Sequence, residues 1–136
     1  MSKGAAEWGE AVSGTKATFE TLEVRKMARK LRTEMANLAK TFPQEEKYRL
    51  ADQIIRSSRY VTANIAEGYG RYHYQENIKY CRQARGSLFE LLDHLYVALD
   101  EQYIAADLFN DFKLGTFNVI KILNGYIKHI KNQKTD

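Results

Sequence analysis

The sequence predicts an all-α protein, an up-down-up-down four-helix bundle in one domain. Three observations carry this. Residues 15–67 contain no glycine and a single proline, Pro43. Four segments repeat apolar residues at intervals of three and four, the period of one helical face. No alternating strand pattern competes anywhere. At 136 residues and 44% apolar content the chain can bury one sizeable core.

The first seventeen residues hold three of the eight glycines and show no sustained period. They read as a flexible leader in which Trp8 is the one residue able to dock, and 133–136 read as a tail. Between them lies the bundle domain, 18–132. Its first helix is expected over about 18–41, with Met27, Leu31, Met35, Leu38 and Phe42 as its stripe. Pro43 suits the opening of the second helix, because its missing N–H would be unpaired there anyway. Glu45 and Glu46 then fall in a first turn whose dipole favours acids. Leu50, Ile54, Ser58, Val61 and Ile65 carry the second stripe. That helix is expected to stop at Gly68 as a left-handed C′ residue, with Gly70 making a tight reversal.

The third helix is expected over about 74–101, along Cys81, Ala84, Leu88, Leu91, Leu95 and Ala98. His73 stands at the N-cap and Glu76 three residues on, the spacing of a capping box. Gly86 inside this helix costs ~1 kcal/mol against Ala, and a close neighbouring backbone would compensate. The fourth helix begins between 104 and 116 and ends near 131, on Phe117, Ile120, Leu123, Ile127 and Ile130, with Gly115 as a break or a start. Leu92, Phe89 and Tyr96 are apolar beyond what one stripe needs and point to self-association.

Chemistry is scarce. His73, His94 and His129 fall on different elements, and no Glu-x-x-His motif supports a di-metal bundle. Glu90 and His94 sit one turn apart, but nothing completes a coordination shell, so no metal and no cofactor are expected. Cys81 lies on an apolar stripe and reads as a buried thiol. Ser87 has no nucleophile-elbow context, and Gly68-Tyr69-Gly70 is no dinucleotide loop. With no paired carboxylates and no triad, a non-enzyme is expected. One cysteine, no secretory signal and no run of ~18 apolar residues point to a cytoplasmic protein without a membrane span.

Charge says more. The chain carries 21 Lys and Arg against 17 Asp and Glu, a net charge of +4. Residues 24–33 hold Arg25, Lys26, Arg29, Lys30 and Arg32 without an acid, and 112–135 hold five lysines without an acid. Residues 90–111 reverse the pattern, with Glu90, Asp93, Asp100, Glu101, Asp107 and Asp111 and no Lys or Arg. A solvated face explains one such cluster. Two basic clusters opposing an acidic segment suit an anionic polymer, above all in an oligomer that repeats the patch. Around Gly68 stand Tyr69, Arg71, Tyr72, Tyr74 and Tyr80, which read first as core or a protein interface and second as a surface for base stacking.

These residues resemble a known family. Phe42-Pro43, Tyr48-x-Leu50-x-x-Gln53, Asn64-Ile65-Ala66-Glu67-Gly68, Gly70-Arg71 and Ala84-x-Gly86-Ser87-Leu88-x-Glu90-Leu91 follow the order and spacing of the "four helix bundle protein" family. That family includes proteins encoded by intervening sequences of bacterial 23S ribosomal RNA genes, once labelled ribosomal protein S23. The resemblance covers about 22–130. It implies a homopentamer of four-helix bundles, bacterial, cytoplasmic and without known catalysis. A more distant likeness, of architecture only, is to the accessory variability protein of diversity-generating retroelements, a basic pentamer that binds nucleic acid and a reverse transcriptase. His73 and Asn77 depart from the family pattern, which favours Ser or Thr and an aromatic at those places.

The expected function is an oligomeric binding protein for structured RNA, with Arg25, Lys26, Arg29, Lys30 and Arg71 contacting phosphates. The rival is a protein-interaction adaptor. The motif residues Asn64, Glu67, Gly68, Gly70, Arg71, Gly86, Ser87 and Glu90 read as structural or interfacial. Asn64 and Glu67 would tie the second helix to the third or to a neighbouring subunit through Arg71 or Arg85, with Glu90 in the same network. A ligand or RNA site is the alternative.

Overall fold

A computed structural model describes residues 18–133. The predicted leader, 1–17, and the end of the tail lie outside them. Four helices run in order: α1, Glu23–Ala39; α2, Leu50–Gly70; α3, Tyr74–Asp100; and α4, Ala106–Gln133. No strand occurs among the described residues. One core, including Met35, Ile54, Ile65, Leu88, Leu91, Leu95 and Leu123, fills the space between the helices. Contact is most extensive between α2 and α3 and, of the neighbouring helix pairs, least between α1 and α4.

The stripes hold almost throughout, but several ends differ from expectation. α1 begins at Glu23 because Thr18 and Thr21 close a turn before it. The Thr18 N–H donates to Thr21 Oγ1 (2.6 Å) and the Thr21 N–H to Thr18 Oγ1 (3.3 Å). Such local side-chain bonds compete with helix. Pro43 does not open α2. It precedes a single 3₁₀ turn, Gln44–Glu46, and α2 starts seven residues after it. Glu46 makes the difference, since its carboxylate accepts the orphan Leu50 N–H (3.3 Å) and the Tyr103 hydroxyl (2.7 Å).

Gly68 and Gly70 both lie inside α2, and neither has positive φ. The left-handed residue that ends the helix is Tyr72, at φ 60°. Gly68 serves another purpose. A Cβ there would sit 2.7 Å from Asn77 Oδ1 and 3.0 Å from the Asn77 carbonyl oxygen, so its bare backbone lets α2 and α3 meet. Gly86 makes no such approach; nothing lies within 4 Å of where its Cβ would be, and it faces outward. The expected close backbone contact is therefore not made among the described residues.

His73 is extended at the α3 N-cap, as its position predicts, but its side chain caps nothing. Glu76 turns to Arg71 instead (3.7 Å). α3 ends in a Schellman motif. Gln102 takes φ 64°, its N–H reaches the Leu99 carbonyl (3.0 Å), and the Tyr103 N–H reaches the Ala98 carbonyl (2.8 Å). Gly115 neither breaks nor starts α4. Thr116 is buried and returns its hydroxyl to the Phe112 carbonyl (2.8 Å), while Phe117, expected in the core stripe, lies outside it, 39% exposed.

Candidate nucleic-acid interface

On α1, Arg25, Arg29 and Arg32 are spaced four and three apart, which sets them in one row about 10 Å long at 1.5 Å rise per residue. α2 lies alongside with Arg59, Thr62, Ala63 and Ala66 facing that row. Together with Phe19 they line a cleft of about 320 Å³. Ala63 and Ala66 leave it room, because neither carries a side chain past Cβ. None of the four arginines has an acidic partner within ion-pair distance among the described residues.

Two of the guanidinium groups are held in place. Arg32 Nη1 donates to Thr62 Oγ1 (3.0 Å), and that hydroxyl donates to the Arg59 carbonyl (3.1 Å). Arg25 lies over the Phe19 ring, 4.8 Å from its centroid, and Phe19 packs on Tyr69 at 5.6 Å. Arg25 and Arg32 are half-buried, Arg29 and Arg59 exposed. Guanidinium stays charged at any ordinary pH, so the cleft is positively charged. It has no group fit to move a proton.

The five predicted phosphate contacts do not share one face. Arg25 and Arg29 belong to the cleft. Lys30 lines a different groove, between α1 and α4, and Lys26 is exposed outside the cleft. Arg71 is committed elsewhere: Nε meets Glu67 Oε2 (2.9 Å), Nη1 lies 3.7 Å from Glu76, and Nη2 donates to the Tyr80 hydroxyl (3.0 Å). The Glu67 bond holds the Arg71 pKa above its ordinary value. This is the proposed tie from α2 to α3, made by Glu67 and Arg71. Asn64 is not in it, since its Nδ2 donates to the Tyr60 carbonyl of its own helix (2.9 Å). Arg85 pairs with Asn124 of α4 (2.7 Å), and Glu90 is exposed away from both. Gly86 is exposed beside half-buried Ser87.

The sequence does not mark Arg59 as part of this cleft, and it shows Arg32 only as part of a basic run. A lone arginine in the middle of a helix is an ordinary surface residue. Only the pairing of α1 with α2 brings it opposite the row.

Elsewhere the polar groups serve structure. Cys81 is buried, and burial pushes its thiol up to about 12. Its Sγ contacts Asn77 Oδ1 (3.5 Å), and Asn77 Nδ2 donates to the Tyr126 hydroxyl (3.3 Å), so the unusual Asn77 links α2, α3 and α4. No group of three or more His, Cys, Asp or Glu among the described residues is placed to hold a metal. No helix among them is long and apolar enough to cross a membrane.

Two apolar surfaces remain. Phe89, Tyr96 and Phe117 form an exposed band on α3 and α4, with Phe89 and Phe117 edge to face at 6.2 Å. On the other side of α4, a groove of about 960 Å³ runs between α1 and α4 past Met27, Leu108 and Leu114.

A solved structure from Bacteroides thetaiotaomicron VPI-5482, a protein of unknown function from the S23 ribosomal protein family, shares this fold. Its TM-score is 0.72 at 23% identity over 77% of this chain and 95% of that one. A search of curated proteins finds no match. The model of the 23S rRNA-intervening sequence protein family matches residues 20–125, from the turn before α1 into the last third of α4. α1, α2, α3 and most of α4, the Asn64–Gly68 block and the glycine packed on Asn77 fall within that span, and the chain belongs to the 23S rRNA-intervening sequence protein family.

Proposed function

We propose that this protein is a non-enzymatic, oligomeric binding protein of the bacterial cytoplasm that takes structured RNA on its α1–α2 face. The observation that carries the reading is the convergence of Arg25, Arg29, Arg32 and Arg59 on one cleft with no acidic partner among the described residues. Guanidiniums without an acidic partner favour phosphates, since two oxygens of a phosphate match the planar guanidinium fork bidentately. The family's name ties it to an intervening sequence of 23S ribosomal RNA, which makes RNA the polymer proposed.

Association of copies supports the same reading. A closed ring needs two different complementary surfaces on each subunit. The aromatic band on α3–α4 and the groove between α1 and α4 are two such surfaces on opposite sides of α4. A homopentamer, the assembly the family resemblance implies, would repeat the arginine cleft five times and multiply weak contacts.

The adaptor reading keeps one observation. Glu90, Asp93, Asp100, Asp107 and Asp111 are exposed and unpaired by any base among the described residues, so a basic protein partner would find a surface there.

Charge reversal separates the faces. Arg29→Glu with Arg59→Glu should weaken binding to a ribosomal RNA fragment at low salt by more than tenfold. It should also lower the slope of log K against log salt by about 0.7–0.9 per arginine lost. Lys26→Glu with Lys30→Glu should cost far less. Equal losses from both pairs, or no RNA retained by the native chain, would overturn the reading.

A further inference from the structure

We infer that the α1–α2 cleft is a pocket for one nucleoside 5′-monophosphate unit, the base on its Phe19–Arg25 wall and the phosphate among Arg29, Arg32 and Arg59. This rests on the reading of that face as the binding face and names what occupies it.

Size is the first argument. About 320 Å³ lies at the small end of ligand sites, which span about 300–1,000 Å³. The space suits one nucleotide and not a length of duplex. The lining is the second. A basic surface that merely tracks a polymer needs no apolar floor and no aromatic wall, and this cleft has both. Ala63 and Ala66 make a floor without polar atoms, and Phe19 closes one end with Tyr69 packed behind it. Bases stack on aromatic rings and on guanidinium planes alike, and here the two are already stacked on each other at 4.8 Å.

Pre-positioning is the third. Arg32 is half-buried and anchored to Thr62, so less side-chain freedom is lost when it takes a phosphate. The larger groove between α1 and α4 offers no such site. Glu34 and Asp111 are among its lining residues, so an anion there would meet carboxylates.

The ligand could reach the cleft as a free nucleotide or as an unpaired residue of RNA, and calorimetry on the full chain at low salt distinguishes them. Adenosine 5′-monophosphate should bind at least tenfold more tightly than either inorganic phosphate or adenosine. Arg59→Gln should weaken the nucleotide and phosphate together. Phe19→Leu should lower the preference for nucleotide over phosphate at least threefold and leave phosphate itself unchanged. If Phe19→Leu disturbs the turn before α1, seen as loss of helical signal, Arg25→Gln tests the same wall from α1.

Nucleotide displaced by a single-stranded oligonucleotide identifies an unpaired RNA residue as the source. Nucleotide that RNA leaves in place keeps the pocket, identifies a free nucleotide as its source, and removes the RNA reading of this face. RNA binding with nucleotide no tighter than phosphate removes the pocket and leaves the RNA reading standing. Binding of an acidic peptide as tight as that of the nucleotide also overturns the inference.

Discussion

Tyr103 and Glu46 hold the two connections at one end of the bundle together. Their hydrogen bond, 2.7 Å long, joins the 3₁₀ turn before α2 to the loop before α4, and Phe42 packs on the Tyr103 ring at 5.5 Å. The bond lowers the Glu46 pKa below its usual 4.5 and pushes the Tyr103 hydroxyl up to about 12 from 10. Glu46 therefore stabilises the fold above pH 4.5 and loses that contribution as pH falls through its lower folded value. Tyr103 contributes below pH 10 and loses it as pH rises through about 12. Tyr103→Phe should lower the urea midpoint most near pH 7, with the difference from the native chain shrinking at both extremes. A difference constant across pH would show that the bond carries none of it.

Two glycines in neighbouring helices separate packing from propensity at the scale of the element. Gly68→Ala forces a Cβ onto Asn77 Oδ1 and the Asn77 backbone and should destabilise by about 1–3 kcal/mol, the cost of overpacking. Gly86→Ala meets nothing within the subunit and should stabilise by up to about 1 kcal/mol through helix propensity. Denaturant melts of both variants check the pair; two changes of the same sign would contradict it. The helices themselves were readable because their stripes span many residues, and α3 begins and ends within a residue of expectation. Their ends were less readable because side-chain chemistry decided them. Pro43 looked like a helix start until Glu46 supplied the missing acceptor one turn later. Gln102 and Tyr72 occupy left-handed positions that glycine usually marks, so nothing in the residue type announced them. The arginine cleft was half legible. Arg25 and Arg29 came from a run on one helix, whereas Arg59 required the pairing of two.

At the scale of the whole molecule, apolar and charged surfaces divide the labour. The Phe89, Tyr96 and Phe117 band is available to sister copies, while the arginine cleft lies on the other helix pair. Phe117→Glu puts a charge into that band and should lower the solution mass toward the 15.8 kDa monomer with the helical signal retained. A native chain that is monomeric at every concentration would remove the oligomer from the account. RNA held on the proposed α1–α2 face would lie outside the groove that Asp111 lines, and none of the residues lining the arginine cleft is acidic. Photo-crosslinking of the native protein to ribosomal RNA, with the attached peptides mapped by mass spectrometry, tests this most directly. The account predicts crosslinks within 19–32 and 59–66; crosslinks confined to α3 and α4 would contradict it.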